Sequence, residues 1–167
     1  LNRIKESKNI CAQLILKNKK DVKALNIYGL CFSAENNFNK AKKIFNEVLI
    51  YDENNVAALN SLGRLYHENR NSIDAEKYLL RALNLDPSSY QILNNIAGFY
   101  REEGKYTKGI KYYLKALKLN PNNSYILNNL AKSYFDINDL NLAENYALKA
   151  LKLNQNDGGI QKIISFI

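Results

Sequence analysis

The sequence predicts an all-α protein, a solenoid of helical hairpins recurring every 34 residues. Three observations predict it: a segment that repeats at a fixed offset, apolar columns spaced by three and four, and a capping residue at the same point of every period. Ala75-Glu76-Lys77-Tyr78-Leu79-Leu80-Arg81-Ala82-Leu83 aligns with residues 109–117, and residues 143–151 repeat the pattern again. Self-similarity at such a period marks stacked supersecondary units. Complete units are expected at 22–55, 56–89, 90–123 and 124–157. Residues 1–21 read as the second helix of a partial repeat, and 158–167 as the start of a further repeat or a capping helix.

The first half of each unit carries one helical stripe. Position 4 is Leu25, Leu59, Leu93 and Leu127; position 7 is Tyr28, Leu62, Ile96 and Leu130; position 11 is Phe32, Tyr66, Tyr100 and Tyr134. Spacings of three and four put these side chains on one face of a helix. Position 8 is always small (Gly29, Gly63, Ala97, Ala131), which lets a second helix approach closely.

The second half behaves alike. Position 20 is Ala41, Ala75, Gly109 and Ala143; position 24 is Phe45, Leu79, Tyr113 and Ala147; position 27 is Val48, Ala82, Ala116 and Ala150; position 28 is leucine throughout. Polar breakers separate the halves, namely Asn36-Asn37, Arg70-Asn71, Gly104-Lys105 and Asn138-Asp139. Each unit is therefore expected to be two antiparallel helices joined by a short turn. The residue before each unit is Asp21, Asn55, Ser89, Asn123 or Asp157. All are preferred N-caps, whose side chains accept from an orphan amide in the first turn.

These columns resemble the tetratricopeptide repeat family: the small residue at position 8, the aromatic at 11, the small residues at 20 and 27, and proline at 32 in two units (Pro87, Pro121). The chain departs from the family pattern at position 32 of the first and last units, where Glu53 and Gln155 stand, and at position 4, where leucine replaces the common tryptophan. The resemblance implies a right-handed superhelical solenoid whose first helices line a concave groove.

Composition narrows the function. One histidine (His67) and two scattered cysteines (Cys11, Cys31) are too few for a four-ligand structural zinc site or a disulfide framework. Cys11 falls at position 24 and Cys31 at position 10, where each reads as a small buried hydrophobe. A reducing compartment, the cytoplasm, is the expected location. No phosphate-cradling glycine loop, metal triad or catalytic triad pattern occurs, so neither a cofactor nor an enzymatic activity is expected. No apolar run is long enough to span a bilayer. The net charge is +8, but asparagine, at 26 of 167 residues, and lysine are both enriched as an AT-rich genome would enrich them. Most aromatics are taken by packing columns and the period is 34, which argues against nucleic acid as the partner. The chain begins without methionine and is expected to be part of a longer protein.

The partner is expected to be a protein or peptide segment held on the first-helix face, at positions 2, 5, 6, 9, 12 and 13. Position 5 is Asn26, Asn60, Asn94 and Asn128, and position 6 adds Asn95 and Asn129. With asparagine this common, four in one of 34 columns arise by chance about 2% of the time. An asparagine amide has two donors and an acceptor, so a ladder of them can hold a peptide backbone without reading its side chains. It is similar to the ladder of O-linked N-acetylglucosamine transferase superhelices, in partial form because Ile27 and Ser61 stand at position 6 in the first two units. Charged candidates are Lys23, Arg64, Arg101 and Lys132, offset by Glu68, Glu102 and Asp136; His67 joins them as a contact residue. Ile27, Leu30, Tyr125 and Phe135 are candidate anchors. Chaperone-tail clamping, which in this family needs lysine at position 5, asparagine at 9 and arginine at 6, finds none of these here. Two alternatives remain beside the interaction scaffold. One is the substrate-recruiting arm of a larger transferase. The other is self-association through packing faces near Ile163, Ile164 and Phe166.

Overall fold

The computed structural model describes residues 2–154 and 158–166, and for residues 2, 158, 159, 162 and 163 the backbone alone. Ten helices and no strand occur among the described residues. They fall into two compact units, Leu1–Asp86 and Pro87–Ile167. The first holds α1 (Asn2–Lys17), α2 (Val22–Ala34), α3 (Phe38–Tyr51), α4 (Val56–Glu68) and α5 (Ser72–Leu85). The second holds α6 (Tyr90–Glu102), α7 (Tyr106–Leu119), α8 (Ser124–Asp136), α9 (Leu140–Leu153) and α10 (Gly158–Phe166). In each unit the tightest partners are consecutive helices, α2 with α3 and α4 with α5, then α6 with α7 and α8 with α9. In the second unit α10 packs on α8 and α9.

The expected first-helix caps form. Asp21, Asn55, Ser89 and Asn123 accept from the amides of Ala24, Ala58, Ile92 and Ile126. Asp157 and Gln155 lie outside the described residues.

The breakers turn out to be more than punctuation. Asn36, Arg70, Gly104 and Asn138 all take positive φ, between 57° and 72°. Their amides bond to Ser33, His67, Arg101 and Phe135, and the next amides reach back to the carbonyls of Phe32, Tyr66, Tyr100 and Tyr134 at 2.8–2.9 Å. This is the Schellman closure of a helix C-terminus. The residue that completes it then caps the following helix: Asn37, Asn71 and Asp139 accept from the amides of Lys40, Asp74 and Leu142. Lys105 makes the same backbone bond but supplies no side-chain cap to α7.

Inside the pairs, small residues set the approach. A Cβ on Gly29 would lie 2.6 Å from the Phe45 ring, and one on Gly63 2.6 Å from Leu79 Cγ. In the third pair the small residue sits on the other helix, since a Cβ on Gly109 would stand 2.8 Å from the Ala97 carbonyl oxygen. Ala131 and Ala147, both 0% exposed, close the fourth pair. The cluster of Leu127, Ala131, Ala147 and Ala150 continues onto Ile160 of α10, with Ile164 packed against it.

Position 23, which the columns above leave out, completes an aromatic stack. Tyr66 stacks on Tyr78, Tyr100 on Tyr112 and Tyr134 on Tyr146, with centroids 5.4–5.6 Å apart and planes within 17°. Lysine ammonium groups lie over these rings, Lys42 over Tyr66, Lys108 over Tyr100 at 3.9 Å and Lys149 over Tyr146. Parallel rings of this kind contribute about 1 kcal/mol beyond the area they bury.

Two outcomes are expected from this architecture. Lys105→Asn supplies the missing cap and raises stability by about 1 kcal/mol, whereas Asn71→Ala lowers it by a similar amount; urea midpoints measure both. Gly109→Ala, whose Cβ meets backbone, costs roughly 1–3 kcal/mol. Gly98→Ala meets only the Tyr113 hydroxyl at 3.4 Å and so gains up to about 1 kcal/mol of helix propensity. Thermal melts that rank these two alanines in the opposite order disprove the packing account.

Candidate interaction surface

In the first unit the candidate residues lie on α2 and α4. Asn26 is half-buried, and its Nδ2 donates to Oδ1 of Asn55 at 3.0 Å. That same oxygen caps the Ala58 amide at 3.0 Å, and Asn55 Nδ2 donates to Asp52. Asn26 thus ties one first helix to the cap of the next, while its own Oδ1 is buried without a hydrogen-bond partner. Asn60 is half-buried one repeat further on. Ile27 and Leu30 are 49% and 45% exposed on the same helix as Asn26, and Lys23 is exposed. Arg64 pairs with Glu68 at 3.3 Å, both in water; His67 is half-buried in the last turn of α4. Lys8 of α1 holds Glu35 at 2.7 Å and lies 4.4 Å from the Phe32 ring centroid.

In the second unit the structure brings the asparagines of adjacent first helices together. Asn129 Nδ2 donates to Asn94 Oδ1 at 3.3 Å, and Asn95 is half-buried beside them in sequence. Asn128 is buried, so this rung of the ladder faces packing rather than solvent. Arg101 and Asp136, 35 residues apart, form a 2.7 Å ion pair from α6 to α8. This pairing engages Arg101, a charged groove candidate from sequence, with one of the acidic residues expected to offset it, and it cancels much of the local charge. Lys132 is half-buried and Tyr125 is 64% exposed. Phe135, expected as an anchor, leans instead on the cluster around Leu127 and Ala147.

Tyr113 crosses this unit from α7. Its ring is buried, and its hydroxyl occupies the space beside Gly98 of α6. Burial pushes its phenol well above the usual tyrosine range, against a partial pull from Arg101. Cys11 and Cys31 are both buried, and desolvation raises both thiols, so neither offers thiolate at neutral pH. Among the described residues no group of three or more His, Cys, Asp or Glu could hold a metal ion, and no helix is long and apolar enough to cross a membrane.

Of the candidates, the structure joins Asn94 with Asn129 and links Asn26 to a cap, and it leaves Ile27, Leu30, Lys23 and Tyr125 at the surface. Sequence reasoning missed the Arg101–Asp136 and Lys8–Glu35 pairs. A 35-residue separation between opposite charges on equivalent faces was the available signal for the first.

Two family models, each of the tetratricopeptide repeat, match residues 29–90 and 88–156. The chain belongs to the tetratricopeptide repeat family. A comparison with curated protein sequences finds no match. Solved structures share the fold of this repeat protein. The Cut9–Hcn1 hetero-tetramer of APC/C superposes with a TM-score of 0.90 at 17% identity, over 99% of this chain and 33% of that one. Pseudomonas aeruginosa pilF gives 0.79 at 22%, over 98% and 68%. YrrB, a repeat protein with an unusual peptide-binding site, gives 0.74 at 15%, over 98% and 84%. At these identities the likeness concerns the fold alone.

The α6–α8 ion pair yields a measurable coupling. A double-mutant cycle on Arg101→Ala and Asp136→Ala is expected to give about 0.5–1 kcal/mol, read from denaturant midpoints at low salt and shrinking at high salt.

Proposed function

We propose that this chain is a protein-interaction scaffold that holds an extended segment of a partner against its first-helix face. The repeats that do so correspond to 22–55, 56–89, 90–123 and 124–157. The observation that carries this reading is the amide group of Asn94, Asn95 and Asn129 in the second unit. One shared hydrogen bond leaves the Asn94–Asn129 pair with donors and acceptors beyond those it uses. A peptide backbone has the same inventory, one donor and one acceptor per residue. The half-buried setting strengthens such bonds relative to bulk water. Asn60 offers the same group in the first unit, with Ile27 and Leu30 exposed one repeat earlier on α2 to receive apolar side chains. Asn26 and Asn128 serve the scaffold itself, through the cap of Asn55 and through burial. Mutual pairing of Arg64 with Glu68 and of Arg101 with Asp136 makes the face nearly neutral, which suits sequence-tolerant capture better than recognition of one charge. The peptide-binding site of YrrB, on the same fold, supports the reading.

Peptides selected by the wild-type chain from a displayed random library provide the test. Asn60→Ala, Asn94→Ala and Asn95→Ala together are expected to weaken them roughly tenfold, at about 0.5–1.5 kcal/mol per lost bond, with helical circular dichroism unchanged. Equal affinity of the triple variant refutes the proposal.

A further inference from the structure

The outward side of α7 carries a feature that the first-helix face does not explain. A pocket of about 570 Å³ opens there, lined by Lys108, Lys111, Tyr112, Leu114 and Lys115. At 100° per residue these five share one arc of the helix, opposite the buried Gly109, Ile110, Tyr113 and Ala116. The helix Tyr106–Leu119 holds four lysines and no aspartate or glutamate. Equivalent positions elsewhere dilute the charge. On α5 they are Asp74, Lys77 and Arg81; on α3, Lys40, Lys43 and Glu47; on α9, Leu142, Asn145 and Lys149. Three lysines at i, i+3 and i+7 run about 10 Å along the axis.

We propose that this face of α7 docks an acidic protein segment, a helix carrying carboxylates at matching three- and four-residue spacing and an apolar side chain for Leu114. The lysine row repeats at the pitch of a helix, so a carboxylate row of equal pitch meets it in register. Leu114, 38% exposed at the edge of the arc, supplies the apolar contact that a purely ionic surface lacks. Nucleic acid fits less well. Tyr112 is stacked on Tyr100 at 5.6 Å and lies 5.5 Å from the Lys115 ammonium, which leaves no open ring face for a base. An anionic membrane fits less well too, because lipid insertion needs an exposed apolar stripe and this arc exposes one leucine. The surface is separate from the first-helix face, so either proposal can fail alone.

The test uses the whole chain and a fluorescein-labelled helical peptide of glutamate and leucine, with glutamates at three- and four-residue spacing. Its glutamine counterpart, a single-stranded oligothymidylate and phosphatidylserine-containing vesicles serve as comparisons. The glutamate peptide is expected to bind, to weaken with salt, and to lose roughly tenfold on combining Lys108→Gln, Lys111→Gln and Lys115→Gln. The control triple Lys43→Gln, Lys77→Gln and Lys149→Gln changes the net charge equally and is expected to leave binding intact. Circular dichroism of both triples fixes their folding. If the α7 triple is poorly folded, Lys111→Glu with a peptide bearing lysine at one glutamate site replaces it, and restored binding supports the register. Equal losses in the two triples, equal binding of the glutamine peptide, or tighter binding of the oligonucleotide or vesicles overturns the proposal.

Discussion

Everything in this fold hangs on a three-residue turn. The left-handed residue in its middle reverses the chain, the amide after it closes one helix, and in three of the four turns the side chain of that same residue opens the next. Because the amide returns to the carbonyl of position 11, the turn also fixes helical phase. That phase brings position 8 against position 24 and position 11 against position 23, so the glycine contacts and the tyrosine stacks follow from it. Three of the four left-handed residues are not glycine, and Arg70 has neither the freedom of glycine nor the short polar side chain of asparagine. The surrounding bonds hold it there.

Rows of residues were legible in the sequence; the partners within rows were not. Burial of Leu25, Leu59, Leu93 and Leu127 and the caps at Asp21, Asn55, Ser89 and Asn123 follow from period alone, because a helix presents every such residue in the same direction. Asn37, Asn71 and Asp139 read as breakers, since a turn residue and a cap draw on the same residue types. The position-5 asparagines illustrate the harder case. They are identical in sequence, yet Asn26 bonds to a cap, Asn94 accepts from Asn129, and Asn128 is buried. Which hydrogen bond an amide makes depends on its neighbour in the next repeat, and the neighbours differ. The same holds for Arg101, whose role was decided by an aspartate 35 residues away.

The second unit carries two chemically unlike surfaces on its two helix types. First helices bear amides and mutually paired charges. The second helix α7 bears four lysines and no acidic residue, around a stacked tyrosine pair. Tyr113 passes between these surfaces, and its buried ring leaves little room for either helix to shift on the other. A single helical hairpin thus carries an amide-bearing surface on one helix and a lysine-rich surface on the other.

The matched sizes at positions 8 and 24 bear on how such an array can evolve. Gly29 faces Phe45, Gly63 faces Leu79, Ala131 sits with Ala147, and the Tyr113 hydroxyl lies beside Gly98 at position 9. These hairpins descend from one pattern but are no longer interchangeable parts. A crossover joining α8 to α3 would drive the Phe45 ring into the Ala131 methyl group, and the reverse fusion of α2 to α9 would leave a void where a phenyl ring belongs. Recombination at the turns inside the hairpins is therefore penalised. Only cuts between whole hairpins keep each glycine with the side chain it has been fitted to.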